Sequence, residues 1–196
     1  MDFNTTVMFL LRWTHILAGI LWVGTMYFMN FALAPWAKRL GPDERRKVLP
    51  DLLERAFYWL KWGSFLTYLT GWMDIIWKCY IASNVGFHGE NGLGNTSWGQ
   101  WISVGVIIGT VLLINVWFVI WPAQKKVIGW MRAGGSPAEM ARTAALAEHV
   151  SKINAYLSAP LIFSMAAASH LPMIGPWVIL GAFVLGVAFI AHLFLI

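Results

Sequence analysis

The residues of this chain best suited to hold a cofactor are its five histidines, and they are unevenly placed. His15 lies two residues inside an apolar run bounded by Trp13 and Trp36, and His170 closes a second run that starts near Asn154. Sixteen residues separate Asn154 from His170, roughly 24 Å of helix, so two spans entering from opposite sides would bring both imidazoles to one depth. A bis-histidine haem b requires that arrangement, with small residues beside the porphyrin and cations for its propionates. Gly19 stands one turn below His15, and Ala166 and Ala167 one turn below His170. Arg12 and Lys78 supply cations at the same level. Trp22 and Met26 continue the His15 face at helical spacing and would wall the ring. A plainer account competes with this one: His15 is an interfacial histidine bonded to a neighbouring helix, and His170 a polar residue at a helix end, where burial costs little.

A weaker second ligand pair is His149 with His192, which lies about 24 Å along its helix from Pro176 and so near the inner face. His149 also sits between Glu148 and Lys152, where a solvated histidine is ordinary, and His88 falls in a Gly-rich segment expected to be exposed. Asp74 and Lys78 form an i,i+4 pair with the acid first, which predicts mutual neutralisation. Asn115 and Asn154 are expected to bond to adjacent helices. Cys79 is the only cysteine, which excludes an internal disulfide, a Cys-x-x-Cys pair and a covalent Cys-x-x-Cys-His haem attachment. No phosphate-binding glycine loop, nucleophile elbow or metalloprotease histidine pair is present.

These residues need elements to position them. With 59% hydrophobic and 12% charged residues in 196 positions, and a positive mean hydropathy, the chain predicts an all-α integral membrane protein. The apolar runs predict one transmembrane helical domain over residues 1–196: a bundle of about five helices at 7–36, 55–81, 100–122, 150–171 and 176–196. Pro160 should kink the fourth. Ala32, Leu33 and Ala34 resemble a cleavage triplet, yet the acidic start and long apolar core predict that the first run is retained. Ser136 as N-cap, Pro137 at the first helical position and Glu139 predict a separate cytoplasmic surface helix before the fourth span.

The net charge of +5 does not point to nucleic acid, because Lys and Arg cluster in two connections. One holds Lys38, Arg39, Arg45, Arg46, Lys47 and Arg55, the other Lys125, Lys126, Arg132, Arg142 and Lys152, and both are expected on the cytoplasmic side of the membrane. Residues 82–99 carry no Lys or Arg, which sets the N-terminus outside and the C-terminus inside. Nine of the thirteen tryptophans (Trp13, Trp36, Trp59, Trp62, Trp77, Trp98, Trp101, Trp121, Trp177) lie near span ends, as interfacial anchors do.

Three segments carry a family resemblance: Arg12-Trp13-Thr14-His15-Ile16-Leu17-Ala18-Gly19-Ile20-Leu21-Trp22-Val23-Gly24; Asn115-Val116-Trp117-Phe118-Val119-Ile120-Trp121-Pro122-Ala123-Gln124-Lys125-Lys126-Val127-Ile128; and Lys152-Ile153-Asn154-Ala155-Tyr156-Leu157-Ser158-Ala159-Pro160 leading to His170. Together they resemble the N-terminal membrane domain of bacterial urate oxidases of the urate hydroxylase type. The asparagine-to-double-lysine segment is the most specific; the histidine followed by Trp-x-Gly also looks like haem-handling proteins of the protoporphyrinogen-oxidase and copper-resistance types. The resemblance implies a membrane redox protein, joined in its full-length form to a cytochrome c domain, with His15 and His170 at the haem or redox site. This chain departs from that form in lacking Cys-x-x-Cys-His.

The function expected is electron transfer through a haem b between the first and fourth helices, with a soluble external cytochrome c or a larger membrane complex as partner. The alternative is a cofactor-free accessory subunit of a respiratory or photosynthetic complex. A small enzyme of tetrapyrrole oxidation is a third reading.

Overall fold

The computed structural model describes residues 2–82, 85–133, 137–172 and 175–195, and within these the chain folds as five long helices with no strand. Helix α1 runs through Phe3–Tyr27, a π-helical turn over Phe28–Leu33, and Ala34–Arg39. Asp2 starts it by accepting the Thr5 N–H at 2.7 Å. The π turn accommodates Pro35, which has no N–H to give: the ladder widens so that Ala34 bonds the Met29 carbonyl, and the Asn30 amide covers the Met26 carbonyl at 2.9 Å.

Helix α2 covers Pro42–Ile76 and a π turn at Trp77–Ile81, with Pro42 in its first turn and Glu44 reaching back to the Gly41 N–H at 3.1 Å. Helix α3 covers Ser97–Ile114, a third π turn at Asn115–Ile120 and Trp121–Ala133, capped by Thr96 on the Gly99 N–H. Helices α4 and α5 are Pro137–His170 and Pro176–Leu193.

The helices outrun the spans expected from hydropathy, because an apolar run marks only the apolar part of a helix. Both basic connections prove largely helical, and α2 begins at Pro42 rather than residue 55. The surface helix expected before the fourth span is instead the first turns of α4, with no glycine or internal proline before Pro160 to divide them. Helix α4 continues through Pro160; the Ser136 cap lies outside the described residues.

Small residues set the helix spacing. A Cβ on Gly63 would stand 3.1 Å from the Trp22 backbone nitrogen, which is how closely α2 approaches α1. On Gly186 it would meet the Ala159 Cβ at 3.0 Å, where α5 rests on α4 beside Pro160. The interior so formed mixes apolar and polar groups: Leu112, Ala155 and Ile190 are fully buried, and so are Ser64, Asn154 and Ser158. Large apolar side chains cover the outside instead, with Trp177 80%, Phe118 75% and Leu185 73% exposed. Two helices, Phe3–Arg39 and Ser97–Ala133, are long and apolar enough to cross a bilayer, and α5 contributes a shorter apolar stretch, Trp177–Leu193.

Candidate functional site

His15 is the one histidine of five that the fold shelters; His88, His149, His170 and His192 are all exposed. Its ring lies in the α1–α2 contact, where a Cβ on Gly71 would come within 2.9 Å of the His15 Cε1. Only glycine admits an imidazole so close to the α2 backbone. The Nδ1 atom stands 2.8 Å from the Thr67 carbonyl oxygen. A carbonyl can only accept, so Nδ1 carries the proton and donates it, and in the neutral ring Nε2 keeps its lone pair. Thr67 is itself held, because its hydroxyl donates to the Gly63 carbonyl at 2.7 Å.

Charged groups gather one turn toward the end of the bundle where α1 starts. An Arg12 guanidinium nitrogen lies 4.0 Å from Asp74 Oδ2, while Asp74 Oδ1 is buried without a hydrogen-bond partner. Lys78 does not form the expected ion pair with Asp74; its ammonium lies over the Trp98 ring, 3.8 Å from the centroid. Asp74 thus meets its nearest cation, Arg12, on another helix.

The other expected site residues are distributed as follows. Gly19 touches Thr67, its would-be Cβ 3.8 Å from the Thr67 methyl. Trp22 is 2% exposed and, with Met26, belongs to the central apolar cluster, its indole N–H buried and unbonded. His170 ends α4 beside Ala167 and Ala168, which pack on Trp101. Trp101 is buried rather than anchored at the surface, and its indole N–H donates to the Pro172 carbonyl at 3.0 Å. Helices α1 and α4 bond to each other at their basic halves, through Tyr27 and Ser158 (2.7 Å) and Asn30 and Ser151 (2.8 Å). Toward the other end α1 turns to α2 at His15 and Arg12, and α4 to α3 at Ser164 and Gly105. Among the described residues no contact joins His15 to His170, and no three His, Cys, Asp or Glu side chains converge as a metal cage.

The two asparagines expected to bond between helices do so. Asn115 donates to the Asn154 carbonyl oxygen at 2.8 Å, and Asn154 passes its own amide proton to the Leu112 carbonyl at 3.1 Å. Asn115 opens the π turn of α3, so the pair knits a widened stretch of backbone to the fully buried centre of α4.

Both asparagines fall within residues 94–196, over which the urate oxidase N-terminal family model matches this sequence. The chain belongs to the urate oxidase N-terminal family. Within this family member, the matched stretch comprises α3, α4 and α5 and includes Lys125, Lys126, Pro160 and His170; His15, Arg12, Gly19, Trp22 and Lys78 precede it. No curated protein and no solved structure matches the chain.

Sequence reasoning selected His15 but missed what holds it. Gly71 and Thr67 stand one helical turn apart on α2, and that spacing was the available signal. Lys61 stands over two indoles: its ammonium lies 4.3 Å from the Trp117 centroid and 5.3 Å from that of Trp121.

Proposed function

We propose that this member of the urate oxidase N-terminal family is a multi-pass module of the bacterial inner membrane that takes part in electron transfer, with haem b held by His15 and His170. Membrane insertion is supported by the large apolar side chains that cover the outside and by the Ser, Thr and Asn residues buried among apolar ones inside, which suits helices packed in lipid. The basic residues flanking the α1–α2 and α3–α4 connections favour a cytoplasmic location for both, which would leave the N-terminus outside and the C-terminus inside.

The observation that carries the redox reading is the bond from His15 Nδ1 to the Thr67 carbonyl. A carbonyl on the distal nitrogen fixes the tautomer and orientation that an iron-binding imidazole needs, and it raises the basicity of Nε2. Haem b would supply a one-electron couple tuned by the residues that hold it and by burial. Toward it, His15 presents a fixed lone pair, Gly71 keeps the ring against α2, and Arg12 and Lys78 provide cations for the propionates. His170 would have to turn inward from the end of α4, where α1 and α4 have parted to different neighbours. A soluble external cytochrome c is the proposed electron acceptor, and urate, from the family's name, the proposed ultimate donor.

Carbonate extraction of membranes and an optical spectrum of the solubilised protein, oxidised and reduced, test both halves. A protein retained in the membrane with a reducible Soret band supports the proposal; release by carbonate, or a colourless protein, contradicts it.

A cofactor-free accessory subunit is the second reading, favoured by the close packing of Trp22 and Met26 where a ring wall was expected. Fixed-stoichiometry copurification with a larger complex, without absorbance of its own, would decide for it.

A further inference from the structure

The basic end of the bundle carries a feature that electron transfer does not use. Where α1 and α5 end side by side, they enclose a cavity of about 270 Å³ lined by Asn30, Phe31, Trp36 and Arg39 from α1 and by Leu193 and Phe194. We infer that this cavity binds the head of an anionic phospholipid of the inner leaflet, one whose phosphodiester also bears hydroxyl groups. The inference rests on the membrane reading above.

The walls define the ligand. Phe31 and Phe194 meet edge to face with centroids 4.8 Å apart and give an aromatic floor suited to the glycerol backbone and the first acyl carbons. Trp36 is 42% exposed beside the opening, as a residue at the headgroup level is. Of the cations near this end of α1 and α4, Arg45 donates to the Lys38 carbonyl at 2.8 Å, and two more are held by one carboxylate. Lys38 and Lys152 both reach Glu148 Oε1, at 3.3 and 3.0 Å. Arg39 makes no ion pair among the described residues and lines the cavity, so its guanidinium is the group that meets a phosphate.

Asn30 narrows the class further. Its amide nitrogen already donates to the Met26 carbonyl and the Ser151 hydroxyl, at 2.9 and 2.8 Å, which leaves its carbonyl oxygen to meet a ligand. A cation beside a hydrogen-bond acceptor selects a head that is anionic at one point and donates hydroxyl protons at another. Phosphatidylglycerol has both; phosphatidylcholine has a phosphate but neither net charge nor a hydroxyl.

The test uses the full chain in lipid nanodiscs of phosphatidylcholine alone and of phosphatidylcholine mixed with phosphatidylglycerol. Retained lipid is read by mass spectrometry, and stability by thermal unfolding. We expect wild-type protein to retain phosphatidylglycerol and to melt higher in its presence. Arg39→Gln should lower that retention about fivefold, the worth of one juxtamembrane cation. Arg46→Gln removes the same charge from a basic residue outside the cavity and should leave retention unchanged. Equal losses in the two variants would reduce the site to a diffuse basic surface, and an unchanged Arg39→Gln would remove it. Inorganic phosphate stabilising the detergent-solubilised protein as well as the lipid does would make it a free-anion site and overturn the lipid claim. Failure of the membrane reading looks different: carbonate then releases the protein, and neither lipid is retained.

Discussion

Gly63 of α2 lies directly on the backbone of Trp22 in α1, so close that a methyl group in place of its hydrogen would stand 3.1 Å from the Trp22 nitrogen and 3.3 Å from its Cα. Neither atom belongs to a flexible side chain, so Gly63→Ala must push the helices apart. We predict a loss of about 1–3 kcal/mol, read as a lower midpoint of thermal unfolding in detergent. Gly24→Ala is the control, because nothing lies within 4 Å of its would-be Cβ. Removing backbone freedom in mid-helix should there stabilise by about 0.5–1 kcal/mol. The account of the α1–α2 contact fails if the two substitutions act alike.

Asn154→Ala should destabilise by about 1–2 kcal/mol, because it leaves the Asn115 amide without its partner in the bundle centre and takes from the Leu112 carbonyl the second of its two donors. Asn115→Ala removes one of those two bonds and should cost less. A double-mutant cycle in detergent unfolding checks this, and additive effects would contradict the coupling.

Glu148 gives a pH dependence of definite sign. Its bond to Lys152 holds the carboxyl below the usual glutamate range, aided by Lys38 and opposed by partial burial. A depressed folded-state value means that the stabilisation is fully present above the unfolded value, about 4.3, and is lost as pH falls through the folded one. The pairs are more than a third exposed, so the effect is small, about 0.2–1 kcal/mol after solvent screening. Thermal midpoints below about pH 4.3 should fall less steeply in Glu148→Gln than in wild type. Parallel curves would show that Glu148 is not the group responsible.

Gly71→Ala tests the seating of His15. The added methyl would lie 2.9 Å from Cε1 and 3.1 Å from Nδ1, so the ring must leave the Thr67 carbonyl. In wild-type protein, nitrogen NMR of labelled histidine should show His15 protonated at Nδ1; in Gly71→Ala that signature should be lost while the other four histidines keep theirs. An unchanged His15 signal would mean that the ring is held by something else.

Some of this was legible from the residues alone. The five helices and the bridging asparagines follow from apolar runs and isolated polar residues. Helix ends did not, since Pro42, Glu44 and the charged turns after them form helix beyond any apolar run. The partners of His15 and Asp74 were hidden because they depend on the register of α1 against α2. That register is set by Gly63 and Gly71 and cannot be read from either helix singly. Trp101 is core filling rather than a surface anchor, and the sequence hides this for a related reason: an indole at a suitable position serves equally as a cofactor wall, a surface anchor or core filling.

The central claim is that the free Nε2 of His15 ligates a haem iron, and the reduced-minus-oxidised absorbance spectrum of purified wild-type, His15→Ala and His170→Ala proteins tests it most directly. The account predicts a six-coordinate b-type spectrum in wild type, with each variant either losing the haem or becoming five-coordinate, and external imidazole restoring the band in His15→Ala. A wild-type protein without a Soret band, or a band that survives both substitutions unchanged, would contradict it.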